Sequence, residues 1–287
     1  MAGLERRMIE VDGAVLEVFV GGAGAPAVCQ SHPCSAQPPT GSPTDELGRF
    51  FRLIRVNPRG VGGSSAGRGP GDLTFRQHVE DLEAVRRQLG LQTWVYFGHS
   101  AGACIGLLYA LQIPQALSGL VLDRPIGVGG RRLGADERSV LSPRHPEYWG
   151  AVRTAEPLHR HGPLLYRREQ PSAEWLHLRP GLWVLTAAGA PVVAMPGEDE
   201  RDKAAFEEFV WAFDVEGRLG QIRVATLVVA SGQDPIVPLV EGELLHAGLP
   251  HARWLLLEET GHDGPDAGTS DYARWNAALE RFISGCR

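Results

Sequence analysis

Gly98-His99-Ser100-Ala101-Gly102 sets one serine between two glycines. The stretch lies where a strand-like run, Trp94-Val95-Tyr96-Phe97, gives way to a helix-like one, Ala103-Cys104-Ile105-Gly106-Leu107-Leu108-Tyr109-Ala110-Leu111. This is the sequence form of a nucleophile elbow. A turn sharp enough to lift Ser100 clear of both elements strains the backbone at the serine and crowds the residues two before and two after it, which is a place for glycine. The helix behind the serine directs its N-terminal dipole and free N–H groups at developing negative charge, and the N–H of Ala101 is one expected donor. The chemistry implied is attack by a hydroxyl on a carbonyl carbon.

A serine hydroxyl needs a base, and the base needs an acid to orient it. Ser231-Gly232-Gln233-Asp234-Pro235-Ile236-Val237-Pro238 follows the apolar run Ala225–Ala230, so Asp234 is expected at the carboxyl end of a buried strand, where sites of open parallel sheets collect. Glu259-Thr260-Gly261-His262-Asp263 follows the run ending at Leu257 and brings His262 to the same edge. The chain order is Ser100, Asp234, His262, matching the order of a hydrolase triad. Rival readings stand beside these. Asp234 fits a simple turn, and Asp123, also at a strand end, is the alternative acid. His78, His145, His159, His161, His177 and His246 fall in helical or irregular segments and read as surface or structural groups, while the side chain of His99 is expected to point away from the cleft. Cys34 is weighed as a nucleophile in its own right, without any sequence feature that lowers its thiol pKa.

Positioning these groups takes a framework of alternating strands and helices. Met8–Val11, Ala14–Val20 and Ala27–Gln30 read as a β-meander, and Phe51–Val56 as a fourth strand. A helix follows around Phe75–Leu89, with Val79, Leu82, Val85 and Leu89 on one face. The elbow strand and helix, the strand Gly119–Asp123, the strand Ala225–Ala230, a helix at Leu239–Ala247, the strand Arg253–Leu257 and a last helix at Asp271–Ile283 complete the rhythm. The spacing implies parallel strands with right-handed crossovers. From about residue 125 to 213 the rhythm breaks into proline, glycine and aromatic residues, including Trp149, Trp175, Trp183 and Trp211, with a helical stripe at Phe206, Phe209, Val210 and Phe213. That composition predicts an inserted cap, residues 125–213, on a core of 1–124 and 214–287.

With 287 residues the chain can bury a large core. A net charge of −6 offers no basic stripe, so a nucleic-acid partner is not expected. No run reaches the roughly 18 apolar residues of a membrane span, and Met1–Arg7 has no apolar core of a signal peptide; a cytoplasmic location is the expectation. Cys29, Cys34, Cys104 and Cys286 lack metal-ligand or disulfide spacing, with Cys29 and Cys104 expected as core thiols. His159 and His161 lack carboxylate or cysteine companions, so neither metal nor cofactor is expected. A small-molecule substrate is the expected partner, and association with further copies of the chain is left open.

These features together resemble the α/β-hydrolase-fold serine hydrolases. The resemblance covers about residues 14–124 and 214–287, and rests on the elbow, on Asn57-Pro58-Arg59-Gly60-Val61-Gly62-Gly63-Ser64-Ser65, similar to the family loop D-x-R-G-x-G-x-S, and on Asp214–Ile222 leading into Thr226-Leu227-Val228-Val229. It implies an α/β-hydrolase fold: a mostly parallel central sheet flanked by helices, with a cap. The Pro-Arg-Gly form of the loop is similar to the proline-iminopeptidase-like branch. Where the family carries His-Gly-x-Pro, this chain has Ser31-His32-Pro33-Cys34-Ser35. Aligning His32 with the family histidine puts the second oxyanion donor on the N–H of Cys34, beside that of Ala101, because Pro33 has none. The leading expectation is acyl-enzyme hydrolysis of a carboxylic ester, lactone or thioester. The alternatives are an aminopeptidase of the iminopeptidase type, with Glu198-Asp199-Glu200 or Glu207-Glu208 holding an ammonium group, a non-hydrolytic acyltransferase or lyase, and a ligand receptor.

Overall fold

The computed structural model describes residues 3–33, 35–127, 213–234, 236–262 and 264–286, with the backbone of 183–184 and 193–194. Eight strands form one sheet: β1 (Glu5–Val11), β2 (Ala14–Gly21), β3 (Ala27–Ser31), β4 (Arg52–Val56), β5 (Trp94–His99), β6 (Leu117–Asp123), β7 (Thr226–Ser231) and β8 (Ala252–Leu257). Their order is β1-β2-β4-β3-β5-β6-β7-β8. The β1/β2 and β2/β4 pairs are antiparallel, and every pair from β4/β3 to β8 is parallel. The expected meander therefore stops at β2. All five residues of β3 are buried, which suits a strand covered on both faces, and it takes an interior place between β4 and β5.

Among the described residues four α-helices cover the sheet: α1 (Phe75–Gln88), α2 (Gly102–Gln112), α3 (Leu239–Gly248) and α4 (Ser270–Ser284). Thr74 caps α1 by accepting from the Gln77 N–H, and Thr269 caps α4 by accepting from the Tyr272 N–H. Strand periodicity divides the core. Trp94 and Tyr96 of β5 pack with Phe75, Val79, Leu82 and Val85 of α1 and with Ile105 and Tyr109 of α2. The alternate residues Val95 and Phe97 pack on the opposite face with Trp275, Leu279 and Phe282 of α4. Phe213, in the expected helical stripe, is buried edge-on against Phe75 at 5.9 Å.

The loop resembling D-x-R-G-x-G-x-S is bound into the framework by its polar side chains. Arg59 is fully buried and grips Asp81 of α1 through two bonds of 2.8 and 2.7 Å. Ser64 Oγ accepts from the Glu17 N–H and donates to the Asn57 carbonyl, while Ser65 Oγ accepts from the Val15 N–H. These residues hold the loop, which leaves the carboxyl end of β4, against β2.

Of the expected cap, Pro125–Gly127 and Phe213 are described at its two ends. Inside it, Trp183–Val184 pairs antiparallel with Val193–Ala194, and Trp149, Trp175, Trp211, Phe206, Phe209 and Val210 lie outside the described residues.

Candidate active site

Ser100 sits between β5 and α2 with a φ of 51°, in the left-handed region that non-glycine residues seldom occupy. The two flanking glycines are required by close backbone approach. A Cβ on Gly98 would lie 2.4 Å from the Gly102 carbonyl oxygen, and one on Gly102 would lie 2.8 Å from the Ser31 carbonyl oxygen at the end of β3. The elbow is fixed from outside as well. The Ser100 N–H donates to the Asp123 carbonyl at 3.0 Å, and the Ser100 carbonyl accepts from the Ile126 N–H at 3.2 Å.

His262 and Asp234 come to the same point from the ends of β8 and β7. His262 Nε2 is 2.9 Å from Ser100 Oγ, and His262 Nδ1 is 2.7 Å from Asp234 Oδ2. The other oxygen, Asp234 Oδ1, accepts from the N–H groups of Ile236 and Val237 at 2.9 Å each, so the turn after β7 orients the carboxylate. Ser100 and His262 are buried, and the Asp234 side chain is almost fully so. The turn reading of Asp234 and its contact with His262 thus coexist in one side chain, an oxygen for each.

The rival acid is engaged elsewhere. Asp123 Oδ2 accepts from Arg124 Nη2 at 2.5 Å and Oδ1 from Trp275 Nε1 at 3.1 Å. Burial by itself raises the Asp123 pKa, and Arg124, His99 and Trp275 more than reverse this, holding the group below the ordinary carboxylate range.

No side chain caps the N-terminus of α2, and among the described residues nothing accepts from the Ala101 N–H. Tyr96 Oη lies 3.1 Å from the Ser31 carbonyl and 3.2 Å from that of Gly102, bridging β3 to the elbow helix. Ser31 Oγ donates to the Val56 carbonyl, so His78 Nε2, 2.7 Å away, is the donor in that contact. His32 Nδ1 accepts from the Ser35 N–H at 3.0 Å. Cys34 itself is outside the described residues.

The family model described as alpha/beta hydrolase fold matches residues 44–268. The chain belongs to this family. A "Putative carbamate hydrolase RutD" of Pseudomonas savastanoi pv. phaseolicola is 30% identical to this α/β hydrolase over 215 residues, covering 69% of this chain and 73% of the relative. Among solved structures, an alpha/beta fold family hydrolase from Bacillus anthracis superposes with a TM-score of 0.78 at 17% identity, with each chain covered in full. A proline iminopeptidase-related protein from Thermus thermophilus superposes with a TM-score of 0.76 at 23% identity, covering 98% of this chain and 99% of the other. Both structures share the fold with this chain.

The remaining histidines of the α/β hydrolase separate by surroundings. His78 is the buried donor to Ser31, and His246 packs on Trp254 at 5.4 Å. His145, His159, His161 and His177 lie outside the described residues. His99 departs from expectation. Its ring lies 4.9 Å from that of His262 and its Nδ1 is 3.4 Å from Asp123 Oδ2, so it borders the site instead of turning from it. The alternation of β5 puts His99 on the same face as Phe97, but a sequence does not reveal that β6 and the His262 loop occupy that face. Cys29 and Cys104 are buried as expected, and Cys104 Sγ donates to the Ile126 carbonyl. Among the described residues no group of three or more His, Cys, Asp or Glu is arranged to hold a metal ion, and no helix is long and apolar enough to cross a membrane.

Proposed function

We propose that this α/β hydrolase is a serine hydrolase cleaving a carboxylic ester, lactone or thioester of a small organic molecule through an acyl-enzyme, with Ser100 as nucleophile, His262 as base and Asp234 as its orienting acid. The observation that carries the reading is the continuous hydrogen-bonded chain from Asp234 Oδ2 through the His262 ring to Ser100 Oγ, at 2.7 and 2.9 Å. His262 Nε2 takes the serine proton as Oγ attacks the carbonyl carbon. The N–H groups of Ala101 and Cys34 receive the oxyanion, a donor of this kind contributing roughly 3 kcal/mol in the transition state. His262 then protonates the leaving alkoxide or thiolate and activates the water that releases the acid. Selection of the acyl and leaving groups we assign to the inserted segment 125–213, on the ground of its proline-, glycine- and aromatic-rich composition.

Carbamate cleavage is a second reading, favoured by the 30% identity to a relative so named. It uses the same attack on a carbonyl carbon, with nitrogen on the acyl side or the leaving side. Mass-spectrometric labelling by a fluorophosphonate, repeated on Ser100→Ala, tests the nucleophile. Turnover of p-nitrophenyl esters, a γ-lactone, an acyl thioester, an aryl carbamate and an aminoacyl arylamide then sorts the substrate class. Label on the wild type but not on Ser100→Ala, with turnover of the oxygen or thiol esters, is the expected result. No label would overturn the nucleophile, label without turnover of any substrate would favour the transferase, lyase or receptor readings, and turnover of the arylamide alone would move the assignment to a peptidase.

A further inference from the structure

His99, Asp123 and Arg124 take no part in the scheme above, yet they form the wall behind His262. His99 ends β5 and Asp123 ends β6, paired in register, and the His99 ring is tilted 47° against the His262 ring at 4.9 Å. Arg124 follows in the left-handed region at a φ of 47° and is buried. Its guanidinium also meets the loop carrying His262, since a Cβ on Gly264 would lie 3.1 Å from Nη2.

These groups compete for one carboxylate. Trp275 occupies Asp123 Oδ1 and Arg124 occupies Oδ2, leaving His99 Nδ1 buried at 3.4 Å without a hydrogen bond. Arg124 Nε and Nη1 are buried and have no hydrogen-bond partner among the described residues, so the cation is tied to Asp123 alone there. We propose that Arg124 is a positioning residue: by occupying Asp123 it keeps the imidazole packed on His262 uncharged, so that no fixed cation opposes the imidazolium His262 becomes during acyl transfer. The proposal rests on the reading of His262 as base. Among the described residues the charged or titratable groups facing His99 are Asp123 from β6, Arg124 beyond it, and His262 from the loop after β8. Burial is the largest influence and pushes His99 down to about 4, with Arg124 and His262 adding to the effect and Asp123 opposing it. Without Arg124, Oδ2 becomes free to accept from His99 Nδ1–H, and the pair becomes imidazolium and carboxylate.

The experiment is an NMR titration of the His99 ring, assigned by its loss in His99→Gln, run with kcat/KM profiles on a p-nitrophenyl ester. Wild-type His99 stays flat between about pH 5.5 and 8.5, whereas in Arg124→Met it titrates inside that window. The Arg124→Met profile stays within several-fold of wild type near pH 8.5, gains an ionisation on its acidic limb, and falls by roughly 10- to 100-fold near pH 6. Arg124→Lys restores the single limb, and adding His99→Gln to Arg124→Met removes the extra ionisation. Titration of wild-type His99 within the window overturns the proposal, and that measurement decides it even where Arg124→Met does not fold. A drop by the same factor at every pH overturns it too, since a merely structural role would produce that. Absence of fluorophosphonate labelling of the wild type would sink the Ser100–His262 reading, and the NMR arm alone would still judge what Arg124 does to His99.

Discussion

Asp234→Asn keeps the shape of the site and reverses one hydrogen bond. Asp234 Oδ1 accepts from two backbone N–H groups, of Ile236 and Val237, while Oδ2 faces His262 Nδ1. An asparagine offers one accepting end and one donating end. Turning its NH2 toward the two backbone donors would lose both bonds and leave buried N–H groups unpaired, at about 1–3 kcal/mol each. The carbonyl therefore stays at the Oδ1 position and the NH2 faces Nδ1. His262 must then accept at Nδ1 and carry its proton on Nε2, which donates to Ser100 Oγ and can no longer take the serine proton. In a triad, the wrong tautomer with intact geometry costs kcat about 10⁴-fold, or about 5.5 kcal/mol. The assay is steady-state hydrolysis of a p-nitrophenyl ester together with the rate of fluorophosphonate labelling, and both are expected to fall in parallel while the unfolding midpoint moves by no more than a few degrees. A loss below tenfold in a folded variant would refute the reasoning, because it would mean that Asp234 does not set the tautomer of His262.

Three further outcomes follow from the packing. Arg59→Met leaves the buried Asp81 carboxylate without its two-point partner, so urea denaturation should show a loss of about 3–5 kcal/mol, much of it recovered in Arg59→Met/Asp81→Leu; no recovery would mean that the ion pair is not the source of the loss. Gly102→Ala drives a methyl toward the Ser31 carbonyl at 2.8 Å, and is expected to cost about 1–3 kcal/mol of stability and 10- to 100-fold in kcat/KM, measured by denaturation and ester turnover. For Glu17, burial raises the pKa, but the Gly63 N–H, Asn57 and Arg6 more than reverse this, so its folded pKa lies below its unfolded one. That stabilisation is complete above the unfolded value of about 4.3 and is lost as pH falls through the folded value; Glu17→Gln should lower the unfolding midpoint slightly at pH 7 and flatten its fall in acid, as followed by circular dichroism.

Periodicity located the elements of the core well because each strand and helix carries its own record of burial. Trp94 and Tyr96 face one layer and Val95 and Phe97 the other, and this two-residue alternation is visible along a single strand. The elbow was equally readable, since Gly98 and Gly102 are dictated by backbone approaches within a few residues or to the neighbouring strand. Strand order was not. Whether β3 pairs with β2 or enters between β4 and β5 depends on contacts among segments far apart in the chain, and there the structure departs from a meander. The same limit hid His99, whose place beside His262 follows from β5 and β6 ending side by side and from a loop 163 residues farther on. The same limit leaves Asp123 standing in the sequence as a rival to Asp234. Both end buried strands, and their hydrogen-bond partners, Trp275 and Arg124 in one case, His262 in the other, distinguish them.

Among the described residues, the non-glycine positions with positive φ are Ser100 and Arg124, at the C-terminal ends of neighbouring central strands. A glycine would sit at either position without the penalty of roughly 1–2 kcal/mol that a side chain brings to that conformation. A chain tuned for durability alone would therefore carry glycine at both. This one spends part of a narrow stability margin on a hydroxyl and a guanidinium at adjacent strand ends, and the stiff parallel sheet beneath them is what makes that concession tolerable.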